Sequence, residues 1–290
     1  MNTNLGLPQG HEPVALITGT SSGFGLLTAI TLARRGYRVI ATMRDLGRSK
    51  ELVQQAEQAG VRERIHLLAL DVTDEASIAS AVQASLELAG RIDVLVNNAG
   101  FAVGGFVEEV SMEAWRGQME TNFFGLVAVT KAVLPLMRVQ RSGLIINVSS
   151  VSGLSGFPGY GPYAASKFAV EGFSESLRQE MLSFGVRVVL VEPGSFRTPI
   201  WDKGITGMHT NEGSPYHTRL EEVLRYSRRA SETAPDPQEV ADLIGRITAL
   251  RAPKLRYPVG RGSRVLMIGK ALLPWKVLEG IISRSLRAMK

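Results

Sequence analysis

"VALITGTSSGFG", residues 14–25, decides the fold, because an uncharged apolar run passes directly into a glycine-rich turn. A continuous apolar run of this kind is typical of a strand buried on both faces. Glycines at 19, 23 and 25 let the backbone approach a phosphate closely, and the helix that follows offers free N–H groups. Such glycines also suit an ordinary tight turn. Their position after the first predicted strand and before a helix favours a dinucleotide-binding turn.

The same alternation of strand and helix continues through most of the chain. Strand-like apolar runs recur at 37–42, 65–70, 92–96, 143–149 and 186–192, and helical periodicity recurs at 25–35, 74–89, 112–138 and 164–184. Repeated strand–helix units predict right-handed crossovers and a parallel sheet covered on both faces. The predicted fold class is therefore α/β, a Rossmann-like doubly wound parallel sheet in a single domain.

The alternation of strands and helices weakens after residue 195, and this change sets the predicted boundaries within the chain. Residues 197–235 are rich in charge, glycine and proline, and we expect them to form a substrate lid. Helical periodicity returns at "PQEVADLIGRITAL", and "RYPVG" is predicted as a last strand. The Rossmann-fold domain is expected to span residues 12–262, followed by an apolar and basic C-terminal extension at 263–290.

The amino-acid composition bears on the binding partners, the presence of a metal site and the location of the protein. The 290 residues carry a formal charge of +6, but the basic residues are spread along the chain, which favours a solvated basic surface over a nucleic-acid partner. The chain has no cysteine, and its four histidines lack zinc-site spacing, so we expect neither a disulfide nor a metal centre. Because the sequence shows neither a secretory leader nor an apolar run of about eighteen residues, we expect a cytoplasmic location.

The end of the second predicted strand, "VIATMRD" at 39–45, bears on the choice of cofactor. Met43 stands where many NAD-binding folds carry a carboxylate for the ribose 2′-hydroxyl, and Arg44 follows it. A guanidinium can grip a 2′-phosphate in bidentate fashion, whereas a carboxylate would repel it. NADP(H) is therefore expected rather than NAD(H). Two alternatives remain: Arg44 is an ordinary solvated loop residue, or Asp45 faces the ribose.

One tyrosine is set apart by its spacing. Of the six tyrosines, only Tyr163 has a lysine four residues on, Lys167, and this spacing places both side chains on one helix face. Tyr160 has Ala164 in that place. A free tyrosine has a pKa of about 10, and a nearby ammonium favours the phenolate and lowers that value. Tyr163 is therefore predicted to act as an acid or base.

Seven motifs occur in one order along the first two thirds of the chain. They are the glycine turn, "LDVTD" at 70–74, "NNAG" at 97–100, "TNFFG" at 121–125, "NVSSVSG" at 147–153, "YAASK" at 163–167 and "PGSFRT" at 193–198. Over residues 12–200 the sequence closely resembles the short-chain dehydrogenase/reductase family. The resemblance implies an oxidoreductase that moves a hydride between C4 of NADP(H) and the carbon of a ketone or secondary alcohol.

The resemblance also implies a role for each matching residue. The catalytic residues would be Asn122, Ser150, Tyr163 and Lys167: Tyr163 passes the proton, Ser150 positions the substrate oxygen, Lys167 holds the ribose, and Asn122 supports a water relay. Without the family pattern, an asparagine in a helix is more often a packing residue. The implied cofactor-binding residues are Gly19, Ser21, Ser22, Gly23, Phe24, Gly25, Arg44, Asp71, Val72, Asn98, Ala99, Gly100, Tyr163, Lys167, Pro193, Gly194 and Thr198.

The predicted substrate pocket is mostly apolar. Its expected lining is Phe101, Val103, Leu154, Phe157, Tyr160, Ile200 and Trp201. These side chains offer apolar surface with few fixed charges, so we expect an apolar ketone or alcohol as substrate.

The C-terminal extension carries a predicted amphipathic helix. Its apolar stripe comprises Trp275, Leu278, Ile281, Ile282 and Leu286, opposite Lys276, Arg284 and Arg287. We expect the stripe to pack on the body or on a partner subunit, and the alternative is a helix in weak contact with a membrane surface. With "SVSGLSGFPGYGPYAASKFAVEG", the extension resembles the branch of the family that contains 17β-hydroxysteroid and retinol dehydrogenases.

Two other functions stay open at this point. A catalytically silent Rossmann protein that senses NADP(H) would need no tyrosine–lysine pair. A sugar-nucleotide epimerase would share that pair, but usually has a TGxxGxxG turn, whereas this chain has TGxxxGxG. The family resemblance further suggests a homodimer or homotetramer built on the long helices at 112–138 and 164–184.

Overall fold

The computed structural model describes residues 12–200, 208–210 and 213–287. Within this part of the chain, seven parallel strands form one sheet in the order β3-β2-β1-β4-β5-β6-β7. The strands are Val14–Thr18 (β1), Arg38–Met43 (β2), Ile65–Ala69 (β3), Val94–Asn97 (β4), Gly143–Val148 (β5), Val186–Pro193 (β6) and Arg256–Val259 (β7). The predicted Rossmann-like α/β fold is confirmed.

Helices cover both faces of the sheet. They are Gly23–Arg34 (α1), Lys50–Gln58 (α2), Glu75–Ala89 (α3), Met112–Met119 (α4), Gly125–Gln140 (α5), Gly161–Met181 (α6), His217–Glu232 (α7), Gln238–Ile247 (α8), Ser263–Leu272 (α9) and Trp275–Arg287 (α10). A π-helical turn, Glu120–Phe124, joins α4 to α5.

The core lies in two layers, one on each face of the sheet, and β1 shows how the sequence builds them. Ala15 and Ile17 belong to the layer that contains α1 and α8, while Val14 and Leu16 belong to the layer that contains α3, α5 and α6. Successive side chains of a strand point to opposite faces, so a strand covered on both sides must be apolar throughout. This explains the apolar run Val14–Ile17 that forms most of β1.

The change in strand order between β1 and β4 creates the crevice that holds the site. From β1 the chain first builds β2 and β3 to one side, and then β4 to β7 to the other. Loops after β1 and β4 therefore separate at the carboxyl edge, where open α/β sheets bind ligands. Thr18 Oγ1 joins the two loops by accepting hydrogen bonds from the backbone N–H groups of Asn98 and Ala99, each at 3.0 Å.

The segment predicted as a lid contains more regular structure than its sequence indicated. Helix α7 occupies much of 197–235, and its buried residues are Leu220, Val223 and Ser227. Their spacing of three and four residues is that of a single helix face, but charged neighbours obscure it in the sequence.

One stretch, Met112–Gln140, is long and apolar enough to cross a membrane by length and composition, with 39% of its most apolar window buried. Val129, Val133 and Met137 from this stretch pack in the core beneath the sheet. That packing is what a core helix of a folded domain shows.

Candidate active site

A cavity of about 920 Å³ lies at the carboxyl edge of the sheet and brings most of the predicted site residues together. Its wall includes every predicted catalytic and cofactor-binding residue except Gly25 and Asn122. The glycine turn and the loops after β2, β3 and β4 line one part, and residues after β5 and on α6, α7, α9 and α10 line another.

The glycine turn is shaped by close approaches that a side chain would block. Gly19 has φ +71°, and a Cβ there would lie 2.8 Å from Ala99 Cα. A Cβ on Gly25 would lie 2.3 Å from the Gly19 carbonyl oxygen, so Gly25 packs beneath the turn and lies outside the cavity wall. Gly25 thus has a packing role under the turn, and its contact with the cofactor stays a prediction.

Two arginines reach the cavity wall next to the turn. Arg44 and Arg48 both line it, although the sequence had singled out Arg44 alone. Asp45 also lines the wall, but its carboxylate accepts a hydrogen bond from the Gly47 N–H at 2.9 Å and starts the short 3₁₀ turn Leu46–Arg48. This turn places Arg48 at the cavity wall as well, a position that periodicity does not reveal.

The loops after β3 and β4 form the neighbouring wall. Asp71 Oδ1 accepts hydrogen bonds from the Thr73 N–H at 3.0 Å and from the Thr73 hydroxyl at 2.8 Å. Asn98 Nδ2 donates to the carbonyls of Thr18 and Gly19 at 2.9 and 3.0 Å. The loop after β4 is therefore tied to the glycine turn on the opposite side of the crevice.

The predicted catalytic group is assembled from β5 and α6. Tyr163 and Lys167 lie one turn apart on α6, and the Ser150 side chain interacts with the Tyr163 hydroxyl. Lys167 Nζ donates to the Val148 carbonyl at 2.8 Å and lies 5.7 Å from the centre of the Tyr163 ring. Ser149, the residue before Ser150, also lines the cavity.

The two ionisable groups have pKa values that differ from the sequence expectation. Burial raises the pKa of Tyr163, and the hydrogen bond to Ser150 opposes that effect. Burial lowers the pKa of Lys167 to about 8, against the nearby charge of Glu171. The pKa of Tyr163 is therefore raised rather than lowered as expected from Lys167, and burial is the largest cause of that shift.

Asn122 is buried in the π turn, behind the cavity wall. Its Oδ1 accepts from the Phe101 N–H at 3.0 Å, and its Nδ2 donates to the Phe101 carbonyl at 2.9 Å and to Ser166 Oγ at 3.1 Å. Ser166 Oγ in turn donates to the Tyr163 carbonyl at 2.7 Å. The side chain thus joins the loop after β4 to the helix that carries Tyr163, and its part in a water relay stays a prediction.

A buried acidic cluster beside α6 escaped the sequence analysis. Glu192 is 0% exposed and Glu171 is 5% exposed. Arg256 contacts both carboxylates, at 3.1 Å from Glu192 and 3.0 Å from Glu171, and contacts the exposed Glu175 at 2.6 Å. Burial and the adjacent Glu171 raise the pKa of Glu192 to about 8. The signal in the sequence was a glutamate near the end of the largely apolar strand β6.

The substrate end of the cavity is only partly as predicted. Phe101, Phe157, Tyr160 and Ile200 line it, and Trp201 lies outside the described residues. Val103 and Leu154 are absent from its wall. Val103 is buried, and its N–H donates a hydrogen bond to Gln118 Oε1 at 2.7 Å. The residue after Leu154, Ser155, lines the cavity instead of Leu154.

The later helices supply lining residues that the sequence analysis missed. They are Tyr226 and Ser227 from α7, Leu266 from α9, and Ile281 and Ile282 from α10. The Ser227 and Tyr160 hydroxyls lie 3.0 Å apart in a hydrogen bond. The C-terminal extension therefore packs on the body, where Leu278 is buried and Ile282 contacts the Tyr160–Val223 cluster. Within the predicted stripe, Trp275 and Ile281 are exposed, and the Leu286 side chain lies outside the described part.

Comparison with the sequences of other proteins identifies the family. The family of short chain dehydrogenases matches residues 13–207. The uncharacterized oxidoreductase YusZ of Bacillus subtilis is 47% identical over 279 residues, covering 95% of this chain and 99% of that protein. The 3-ketodihydrosphingosine reductase of Bacteroides thetaiotaomicron is 38% identical over 267 residues, covering 92% and 95%. Human 17-beta-hydroxysteroid dehydrogenase type 1 is 38% identical over 260 residues, covering 84% and 76%.

Solved structures agree with the sequences. A short chain dehydrogenase/reductase from Burkholderia phymatum in complex with NAD superposes with a TM-score of 0.78 at 27% identity, covering 95% of this chain and 97% of that one. A metagenomic short-chain oxidoreductase in complex with NADP superposes with a TM-score of 0.68 at 26% identity, covering 86% and 97%. The chain therefore belongs to the short-chain dehydrogenase/reductase family of oxidoreductases, in the branch similar to the hydroxysteroid and retinol dehydrogenases.

Proposed function

We propose that the protein is an NADP(H)-dependent oxidoreductase that transfers a hydride between the nicotinamide and a largely apolar ketone or secondary alcohol, with Tyr163 as the acid/base. One observation carries the proposal. Tyr163, Ser150 and Lys167 lie together in the wall of a cavity that has the glycine turn and two arginines in one part and apolar side chains in another. A nicotinamide cofactor supplies the hydride when bound.

The protonated form of Tyr163 suits ketone reduction near neutral pH. Burial keeps the phenol protonated, so the hydroxyl is ready to give its proton to the substrate oxygen as the hydride arrives at carbon. Ser150 donates a hydrogen bond to the same oxygen and stabilises its developing negative charge. The phenolate left on Tyr163 then regains a proton from solvent. Lys167, fixed on the Val148 carbonyl, stabilises that phenolate while its ammonium is charged.

The residues around the glycine turn fit a dinucleotide. The lack of a side chain on Gly19 lets the turn pack against Ala99 and leaves its backbone accessible, and α1 begins at Gly23, within the turn. An open turn at a helix N-terminus suits a pyrophosphate. Arg44 and Arg48 together offer two guanidinium groups for a 2′-phosphate, which supports NADP(H) over NAD(H).

Both the cavity and the relatives support an apolar substrate. Phe157, Tyr226, Leu266 and Ile282 contribute apolar surface to one part of the cavity. The names of the relatives refer to a ketodihydrosphingosine, retinol and hydroxysteroids, which are all lipophilic molecules. A silent NADP(H) sensor is disfavoured, because sensing does not require Ser150, Tyr163 and Lys167 to lie together in the cavity wall.

We further propose a cytoplasmic homodimer or homotetramer assembled through α5 and α6. Phe124, Val139 and Leu182 lie at the ends of these helices and are exposed, and their burial by a second copy would remove apolar surface from water.

The test is an assay of NADPH oxidation at 340 nm with a panel of apolar ketones, run on wild type and on Tyr163→Phe. Tyr37→Phe is the matched control, because Tyr37 is also buried but lies in the core away from the cavity. We expect turnover by wild type and Tyr37→Phe and its loss in Tyr163→Phe. NADPH binding without turnover of any ketone by wild type would favour the sensor instead.

A further inference from the structure

The outer face of α9 and α10 is apolar and open to solvent. Val265 is 74% exposed and Leu272 is 77% exposed, and Ile268, Trp275 and Val277 are exposed as well. We name these five side chains the outer apolar face. Several large exposed apolar side chains on a helix pair are typical of a surface that binds a membrane or another protein.

Other side chains of the same two helices form part of the cavity wall. Leu266 of α9 and Ile281 and Ile282 of α10 line the cavity. Leu278, on the same helix as Ile282, is buried against the body. The helix pair therefore separates the substrate cavity from whatever covers the outer apolar face.

The charges beside the face indicate its occupant. Residues 263–290 carry six basic residues and one acidic residue. Lys270 and Lys276 are exposed, and Lys270 Nζ lies 4.8 Å from the centre of the Trp275 ring. Lysine is depleted in the cores of protein interfaces, whereas basic residues beside tryptophan and leucine are typical of helices that lie on anionic membranes. Lysine stems can also extend along apolar surface while the ammonium stays with the headgroups.

We propose that the outer apolar face docks the protein on an anionic lipid bilayer, so that an apolar substrate passes from the bilayer into the cavity between α9 and α10. The second half of this inference rests on the proposed function. The route removes a step that is unfavourable for a lipophilic molecule, which is its transfer through water before it reaches the cavity.

Vesicle sedimentation tests the docking without any assay of activity. The full chain is mixed with vesicles of phosphatidylcholine alone or with added phosphatidylserine, and the bound fraction is measured at low and high salt. We expect binding that needs phosphatidylserine and weakens with salt. The double variant Leu272→Ser/Trp275→Ser should bind at least about fivefold less, and Lys276→Gln about fivefold less, since each basic residue near an anionic surface contributes a factor of that order. Leu88→Ser, which changes an exposed leucine on α3, is the control and should bind like wild type.

Two further outcomes discriminate between occupants. If wild type does not sediment with either kind of vesicle, the docking is wrong. If the double variant instead changes the oligomeric state in analytical ultracentrifugation while vesicle binding is absent, the face is an interface between copies and the proposal is overturned.

The substrate route is tested separately with the same variants. For an apolar ketone supplied in phosphatidylserine vesicles, the double variant should lose kcat/KM, while kcat/KM for a short water-soluble ketone should stay within about twofold of wild type. An equal loss for both ketones would contradict the route and indicate damage to the cavity. Failure of wild type to reduce any ketone would instead contradict the proposed function, and the sedimentation result would stand on its own.

Discussion

Replacement of Glu192 by glutamine is expected to protect the fold at alkaline pH. Burial and Glu171 raise the pKa of Glu192 from 4.5 to about 8, so the folded chain holds a proton that the unfolded chain loses. The resulting stabilisation is complete below about pH 4.5 and is lost as the pH rises through about 8. At about 1.4 kcal/mol per pH unit, the difference between these two pKa values sets an upper bound of about 5 kcal/mol.

Glutamine cannot ionise, and it keeps the volume and one acceptor for Arg256, which contacts Glu192 at 3.1 Å. Glu192→Gln and wild type should therefore unfold alike near about pH 5, and the variant should be more stable by several kcal/mol near about pH 9. The assay is denaturant unfolding across this pH range. Glu175→Gln, which removes an exposed carboxylate from the same arginine, is the control and should change stability little. Parallel stability curves for Glu192→Gln and wild type at all pH values would refute a protonated, buried Glu192.

Further predictions concern the cofactor, the lysine and the substrate. Arg44→Ala should raise KM for NADPH by roughly 10- to 100-fold and change KM for NADH little, since a charged hydrogen bond contributes about 1.5–3 kcal/mol; wild type that prefers NADH would contradict this. Because the pKa of Lys167 is lowered to about 8, kcat/KM should fall above that pH as the ammonium loses its proton, and a profile that stays flat well above it would count against the assigned role. Along a series of ketones, each added methylene should raise kcat/KM roughly fourfold until the cavity is full, as about 0.8 kcal/mol per methylene requires; a preference for small charged keto acids would contradict an apolar cavity.

The fold was predictable because its signals are local. The apolar run at 14–18 and the glycines that follow it are neighbours in the chain, and strands buried on both faces must be apolar throughout. The same holds for Tyr163 and Lys167, whose four-residue spacing places them on one face of α6. Helix α7 was missed because its buried positions are separated by charged residues that face solvent.

The parts of the site that the sequence did not reveal depend on distant contacts. Arg256 reaches Glu171 and Glu192 from another strand, and no spacing pattern connects these three positions. The direction of the Tyr163 pKa also depends on burial by the complete fold, which opposes the charge effect expected from Lys167 alone. The lining residues on α9 and α10 could not be predicted, because their position at the cavity depends on the path of the chain after β7.

The central claim is that the Tyr163 hydroxyl supplies the proton that accompanies hydride transfer. Its most direct test is a single-turnover measurement of NADPH oxidation by Tyr163→Phe with an apolar ketone that wild type reduces, combined with a titration of NADPH binding by fluorescence. The account predicts nearly unchanged NADPH binding and a hydride-transfer rate reduced by at least about a hundredfold, which corresponds to about 2.7 kcal/mol or more of lost transition-state stabilisation. A variant that keeps a tenth or more of the wild-type rate would contradict it.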